Sequence, residues 1–252
     1  MDADYWERIG NQYDAEIFSS SRSDSGGAIR RRLDQLASPR GIAADFGCGV
    51  GHYLPLLARR FRAVHGIDFA QSLLDQARLR TRGLENVSLH RANLGSGRAR
   101  IPMPKAKVGV CANVLISENS ATRRGILRTI HRHLAPGGRL LLLVPSLESV
   151  LFVNQQLVEW NRRLGWSEAE SLASGLAPTR DLMRGLVRID RVPTKHYLRE
   201  EATLLLTAAG FAVSSCDKVE YRWDTEFEHP PRWMENPGPW DWLLVAKRLP
   251  NR

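Results

Sequence analysis

Three glycines and an aspartate form the stretch of this sequence whose chemistry is most specific. A mostly apolar run, 42–44, leads to Asp45, and Gly47, Gly49 and Gly51 follow at alternate positions. This pattern predicts a buried strand ending in a tight turn, because glycine lets the backbone turn sharply and approach a ligand closely. The Asp45 carboxylate, at the end of the strand, can accept a hydrogen bond from an ammonium group or order a water molecule.

A second acid-ended strand is predicted about twenty residues further along the chain. The run 63–67 is largely apolar and ends at Asp68. A carboxylate in that position can accept hydrogen bonds from both ribose hydroxyls of a nucleoside. The alternative is that Asp68 only caps the helix that follows. The glycine turn and the second acidic strand end together indicate a nucleoside-containing ligand.

At these residues the chain closely resembles the class I S-adenosylmethionine-dependent methyltransferases. Asp45–Gly51 is similar to their glycine-rich first motif, and Asp68-Phe69 to their second. The resemblance covers residues 40–145 well and 195–248 more loosely, and it implies S-adenosyl-L-methionine as the cofactor. A nicotinamide dehydrogenase is the rival interpretation, but its G-x-G-x-x-G fingerprint needs the third glycine one residue later than Gly51.

The resemblance also implies which residues hold the cofactor. Tyr13, in an aromatic N-terminal helix, either lies near the methionine carboxylate or only packs. Asn93 follows the third strand, where the family reads adenine, although asparagine also commonly begins a loop. Asn113 follows the fourth strand and is expected to line both cofactor and acceptor. The predicted cofactor-binding residues are Tyr13, Asp45, Gly47, Cys48, Gly49, Asp68, Phe69, Asn93, Leu94 and Asn113.

The elements that position these residues are expected to follow the family's order. The resemblance implies an α/β fold, a doubly wound seven-stranded sheet of order 3-2-1-4-5-7-6 with the last strand antiparallel, and a helical insertion after the fifth strand. We expect one domain over 1–252, with a helical cap over 1–41 and a helical lid over 146–193. Apolar periodicity predicts helices over 28–36, 72–82, 122–134 and 200–209 and later strands over 86–92, 108–112, 139–144, 211–219 and 240–247.

Composition limits the class of protein and its partners. The 252 residues carry 36 Lys and Arg against 27 Asp and Glu, a formal net charge of +9. Because the basic residues are scattered and no RNA-binding module is recognisable, nucleic acid is not the expected partner. Runs such as 30–32 and 78–82 are interpreted as solvated helix faces. The absence of a long apolar segment favours a cytoplasmic protein without a membrane partner, and three separated cysteines suggest neither disulfides nor a metal site.

Methyl transfer from a sulfonium needs alignment and exclusion of water more than it needs acid or base chemistry. A general base is required only when the nucleophile arrives protonated. The candidates at suitable positions are Glu118, His52 and His196. Each histidine has a structural alternative, since His52 can begin a helix and His196 can precede one.

The range of possible methyl acceptors is limited chiefly by a motif that the sequence lacks. Residues 112–115 read Ala-Asn-Val-Leu, where methyltransferases of exocyclic amines carry Asn/Asp-Pro-Pro-aromatic. We therefore expect methylation of a small-molecule acceptor at oxygen or nitrogen. Methylation of a peptide or protein side chain and a catalytically silent cofactor-binding subunit are the alternatives. Cations in the second half of the insertion favour an acceptor with an acidic group: Arg180, Arg184, Arg188, Arg191 and Lys195. The alternative is that the four arginines form a solvated helix stripe.

Overall fold

The fold is described from a computed structural model that covers residues 20–173, 179–189 and 192–250. Residues 1–19 of the N-terminal cap predicted over 1–41, including Tyr13, lie outside these ranges, as does Arg191. Within the described ranges, no helix is both long and apolar enough to cross a lipid bilayer.

A seven-stranded sheet forms the centre of the molecule, with strand order β3-β2-β1-β4-β5-β9-β8. Adjacent strands from β3 to β5 are parallel, whereas β9 runs antiparallel to both β5 and β8. The predicted order 3-2-1-4-5-7-6 is confirmed, because β6 and β7 form a separate hairpin. The strands are β1 Ser38–Phe46, β2 Phe61–Asp68, β3 Val87–Arg91, β4 Ala106–Ala112, β5 Leu134–Pro145, β6 Leu186–Ile189, β7 Val192–Lys195, β8 Phe211–Glu220 and β9 Trp240–Arg248.

The helices connect these strands on both faces of the sheet. They are α1 Ser20–Ser23, α2 Ala28–Leu36, α3 Leu54–Ala58, α4 Gln71–Arg80, α5 Ser120–His133, α6 Leu147–Arg163, α7 Glu168–Ala173, α8 Thr179–Met183 and α9 Arg199–Ala208. The helix predicted over 28–36 is α2, and its first turn is capped by Asp24, whose carboxylate accepts from the amides of Ala28 and Ile29 at 3.0 and 2.8 Å.

Side chains that alternate between the two faces of the strands form a core of two layers, one on each face of the sheet. Ala44 and Phe46 of β1 pack on one face with Leu127 of α5 and Leu206 of α9. Ala43 faces the opposite layer, which contains apolar residues of α2, α3 and α4. Because successive strand residues point to opposite faces, both faces of the sheet are covered. This arrangement brings the carboxyl ends of the parallel strands to one edge.

The insertion after β5 begins with helices, as predicted, and ends in a hairpin that the sequence interpretation did not foresee. Gly185 has a φ of 65° and follows the last turn of α8, after which β6 and β7 pair in antiparallel register. Arg184 lies in that turn and Arg188 lies in β6. The interpretation of these arginines as one helix stripe is therefore wrong. Alternating β-branched residues explain the hairpin: Val187, Ile189, Val192 and Thr194.

Candidate functional site

A cavity of about 310 Å³ opens at the carboxyl edge of the parallel strands. It is bounded by the turns after β1 and β2, the segment after β3 and the residues after β4. Seven of the predicted cofactor-binding residues line it: Gly47, Gly49, Asp68, Phe69, Asn93, Leu94 and Asn113. The sequence interpretation did not name the other lining residues, among them Leu73, Ile116, Ser117, Thr122 and Ile126.

The turn after β1 requires glycine for two separate reasons. Gly47 has a φ of 80°, in the left-handed region that disfavours residues with a side chain. A Cβ on Gly47 would also overlap the side chain of Val114, which follows β4. The amides of Gly47 and Cys48 both donate to the carbonyl of Ile67, at 2.7 and 2.9 Å. The turn is therefore fixed against the end of β2 and held close to the cavity.

The Asp68 carboxylate links this turn to the helix that follows β2. Its Oδ2 accepts from the Gly49 amide at 2.9 Å, and its Oδ1 accepts from the Ala70 amide at 3.0 Å, just before α4. The side chain is 6% exposed and lines the cavity. Asp68 therefore does interact with the backbone before α4, as the capping alternative proposed. The same two hydrogen bonds fix the orientation of its carboxylate at the cavity wall.

Asn93 also has a local structural role. Its Oδ1 accepts from the Gly95 amide at 2.9 Å and caps a short 3₁₀ helix, Leu94–Ser96. The side chain is exposed, and the residue lines the cavity beside Leu94. A carbonyl oxygen has two lone pairs, so this bond leaves a second acceptor site on Oδ1.

Asp45 and Cys48 lie beneath the cavity and do not line it. Asp45 is 1% exposed, and its Oδ2 has no hydrogen-bond partner in the described part of the chain. Burial, and secondly the charge of Asp68, raise the pKa of Asp45 to about 8. Burial also raises the pKa of the Cys48 thiol, so it behaves as an apolar residue.

These features fit S-adenosylmethionine. The glycine turn leaves room where a side chain would intrude, and the oriented Asp68 carboxylate can accept from ribose hydroxyls. The unpartnered Oδ2 of Asp45 is a buried polar atom suited to a cationic group nearby.

A hydrogen-bond network missed at the sequence level lies beside the cavity. Asp241, the second residue of β9, accepts from the Tyr221 hydroxyl at 2.8 Å, and the Asn113 side-chain amide and the Ser146 backbone amide lie beside the same carboxylate. Burial raises the pKa of Asp241 to about 6, although these three donor groups oppose the shift. The signal available in the sequence was an acidic residue between Trp240 and Trp242 in an apolar strand.

The structure does not bring the three candidate bases together, and none of them lines the cavity. Glu118 is exposed and adjoins Ser117, which does line it. His52 borders a separate cleft near Arg80. His196 is 6% exposed, its Nδ1 lies 3.0 Å from the Thr194 carbonyl, and burial lowers its pKa to about 4.

Lys195 is engaged in a structural ion pair. Its side chain is 2% exposed, and its Nζ lies 2.7 Å from the Glu201 carboxylate and 3.0 Å from the Arg184 carbonyl. Burial lowers the pKa of Lys195, against the effect of Glu201. The expectation that Lys195 presents a cation to the acceptor is therefore wrong.

Aromatic residues join the insertion to the segment between β8 and β9. Phe152 of α6 lies 5.6 Å from Trp223 and 5.8 Å from Trp240, measured between ring centroids. Trp223 stacks on Phe227 at 5.8 Å with an interplanar angle of 4°. We call Phe152, Trp160, Trp223, Phe227 and Trp240 the aromatic wall. It lies at the carboxyl edge, because Asp241 at the start of β9 pairs with Pro145 at the end of β5.

Comparisons with known proteins agree with this architecture. Residues 43–138 match a family described as a methyltransferase domain. The chain is 30% identical over 168 residues to the probable tRNA methyltransferase 9B of Homo sapiens, a match covering 63% of this chain and 34% of that protein. The chain spans only about a third of the length of the first curated relatives it matches.

Other similarities extend over more of both chains. The N-methyltransferase NodS of Bradyrhizobium japonicum, solved with S-adenosyl-L-homocysteine, has a TM-score of 0.61 and 16% identity, and the match covers 99% of this chain and 98% of NodS. The DhpI–SAH complex gives a TM-score of 0.63 at 17% identity, covering 99% and 96%. At these identities the two structures show a shared fold.

One curated relative is matched over most of its own length. It is the probable cobalt-precorrin-6B C(15)-methyltransferase (decarboxylating) of Methanothermobacter thermautotrophicus, 30% identical over 171 residues, which cover 66% of this chain and 82% of that protein. Taken with the strand order and the residues of the cavity, these similarities establish that the chain belongs to the class I S-adenosylmethionine-dependent methyltransferases.

Proposed function

We propose that this protein transfers a methyl group from S-adenosylmethionine to an oxygen or nitrogen atom of a small-molecule acceptor. The observation that carries the proposal is the cavity at the carboxyl edge, which is lined largely by apolar residues such as Leu73, Val114 and Ile126. The aromatic wall lies at the same edge of the sheet. Sites for small molecules are concave and lined mainly by apolar and aromatic side chains. The full-length likeness to NodS, named as an N-methyltransferase, adds support for a nitrogen acceptor.

The chain's own residues bind, orient and exclude water in this proposal. The cofactor, when bound, supplies an activated methyl group. Asp68 and the glycine turn hold its nucleoside, and Asp45 lies nearby as an acceptor for a cationic group. Alignment of the two substrates and exclusion of water from the cavity supply most of the rate enhancement in this proposal. A protonated acceptor also needs a base, for which Glu118, His52 and His196 stay candidates.

Fewer cations support an acceptor with an acidic group than the sequence suggested. Lys195 is paired with Glu201, so the side chains to test for acceptor binding on this part of the insertion are exposed arginines such as Arg184 and Arg188. If either binds an acidic acceptor, its change to alanine raises the acceptor's KM and leaves S-adenosylhomocysteine affinity intact. Parental kinetics in both variants would exclude that role for them.

The direct test is to incubate the protein with methyl-labelled S-adenosylmethionine and extracts separated into small molecules, protein and RNA. We expect label in a small molecule with the wild type and none with Asp68→Ala. Exposed Asp75 on α4 provides the matched control, because Asp75→Ala removes a carboxylate that pairs with Arg78 away from the cavity. Label in protein would favour the side-chain alternative, label in RNA would favour the activity named for the tRNA methyltransferase 9B relatives, and cofactor binding without any transfer would favour a silent subunit.

A further inference from the structure

The relationship between Asp241 and Asn113 points to a positioning role that the proposed function does not include. Asn113 follows β4, lines the cavity, and has a φ of 55°, which is uncommon for a residue with a side chain. Its backbone amide donates to the Leu143 carbonyl at 3.0 Å. The backbone at Asn113 is therefore anchored to β5, and the remaining freedom of the residue is the orientation of its side-chain amide.

Asp241 fixes that orientation. An ionised carboxylate only accepts hydrogen bonds, so the group that Asn113 turns toward Asp241 is its NH₂. Tyr221 donates to the same carboxylate at 2.8 Å, and the Ser146 backbone amide also lies beside it, so donor groups surround it from the ends of β4, β8 and β5. The Tyr221 hydrogen bond holds the carboxylate in place, and the negative charge favours the orientation of Asn113 that turns its NH₂ toward Asp241.

This orientation of the Asn113 amide determines which of its atoms faces away from Asp241. With its NH₂ on Asp241, Asn113 is left with Oδ1 as an acceptor, and this atom is buried without a hydrogen-bond partner in the described part of the chain. Buried polar atoms in native proteins are nearly always paired, so a lone buried acceptor at a cavity wall indicates a ligand donor.

We propose that Asp241 is a positioning residue that sets the Asn113 amide so that its carbonyl oxygen receives an N–H or O–H group of a bound ligand. This inference rests on the proposed function, because the ligand is either the cofactor or the methyl acceptor. Asp241 touches neither and acts through Asn113. The acceptor oxygen explains why an asparagine suits this position, where a carboxylate would be repelled by Asp241.

The test compares Asp241→Asn with Asp217→Asn. Asp217, on β8, is paired with Arg32 at the surface and controls for the loss of a carboxylate. An amide at 241 presents an NH₂ of its own, so Asn113 turns its oxygen inward and its NH₂ toward the cavity. We expect at least a tenfold loss of S-adenosylhomocysteine affinity by calorimetry if the donor belongs to the cofactor. If it belongs to the acceptor, we expect unchanged affinity and at least a tenfold loss of label transfer.

Unchanged affinity together with unchanged transfer in folded Asp241→Asn would overturn the proposal. If that variant does not fold, Asn113→Ala replaces it, with the same expected loss and the same contrary result. A second readout is independent of catalysis. In ¹H–¹⁵N spectra, the Asn113 side-chain amide should be protected from exchange and shift in Asp241→Asn but not in Asp217→Asn. If the Asn113 amide signal is the same in the wild type and in Asp241→Asn, the positioning role is contradicted. Failure of the wild type to bind S-adenosylhomocysteine would instead refute only the proposed function.

Discussion

The Gly49 amide nitrogen lies 2.9 Å from Oδ2 of Asp68, so one carboxylate joins the glycine turn to the end of β2. The other oxygen of Asp68 accepts from the Ala70 amide before α4. Because both oxygens are held by backbone amides, the carboxylate keeps a fixed orientation at the cavity wall. The residue that reads as a ribose-binding acid in the sequence is thus also a structural link between two turns.

Gly47→Ala tests whether the glycine turn is needed for close approach as well as for backbone conformation. Gly83 has a similar φ of 85° but open space where its Cβ would lie, so Gly83→Ala reports the backbone cost alone. That cost is about 1–2 kcal/mol. We expect Gly47→Ala to destabilise the protein further, through overlap with Val114, and to abolish S-adenosylhomocysteine binding. Chemical denaturation and calorimetry measure the two effects, and equal losses in both variants would contradict the steric argument.

The buried Asp45 carboxyl should make the stability of the protein depend on pH. Its pKa is raised from 3.8 to about 8, so the folded state holds a proton that the unfolded chain releases near pH 4. The free energy of unfolding therefore falls as pH rises from about 4 to about 8 and levels off above that.

Asp45→Asn should remove this contribution, because the amide does not titrate. Urea denaturation of both proteins between pH 6.5 and 8 measures it as a difference. Asp241, with a pKa of about 6, is then mostly ionised, and the contribution of Glu226, whose pKa burial raises to about 7, is common to both proteins. The wild type should lose stability across this interval, and the variant should lose much less. Asp75→Asn, at an exposed site, should follow the wild type. Parallel slopes for wild type and Asp45→Asn would show that Asp45 is ionised in the folded protein.

The features predicted correctly from the sequence depend on local order along the chain. The glycine turn and Asp68 carry the family resemblance, which indicated S-adenosylmethionine and the order of the seven strands. The Asp241 network was missed because it joins residues far apart in sequence, which only the antiparallel pairing of β9 with β5 brings together. Similarly, the Lys195–Glu201 pair depends on how the hairpin packs on α9, which charge patterning does not reveal.

Glu201→Gln tests the structural role assigned to Lys195. Removing the carboxylate leaves the buried ammonium without its ion-pair partner, and we expect a loss of about 1–3 kcal/mol. This is less than the cost for a fully buried pair, since Glu201 is 41% exposed and solvent screens the interaction. Glu200→Gln, at the exposed neighbouring position, should have almost no effect on chemical denaturation. Equal stability of the two variants would mean that the Lys195–Glu201 ion pair does not stabilise the folded protein.

A test of NAD binding distinguishes the methyltransferase interpretation from the dehydrogenase interpretation. The third glycine falls one residue early for a turn that holds a pyrophosphate, so NAD should not bind comparably. A ligand that binds only the folded state raises the Tm according to its concentration and affinity. Thermal unfolding should show a rise with S-adenosylhomocysteine and none with the same concentration of NAD. Stabilisation by NAD alone would reverse the assignment.

The central claim is that Asp68 and the glycine turn bind S-adenosylmethionine, and calorimetric titration with S-adenosylhomocysteine tests it most directly. Asp68→Ala removes charge-assisted hydrogen bonds worth about 1.5–3 kcal/mol each, so its affinity should fall at least tenfold while the protein stays folded. Asp75→Ala, on the exposed face of α4, should bind like the wild type. Wild-type affinity in a folded Asp68→Ala protein would contradict the account.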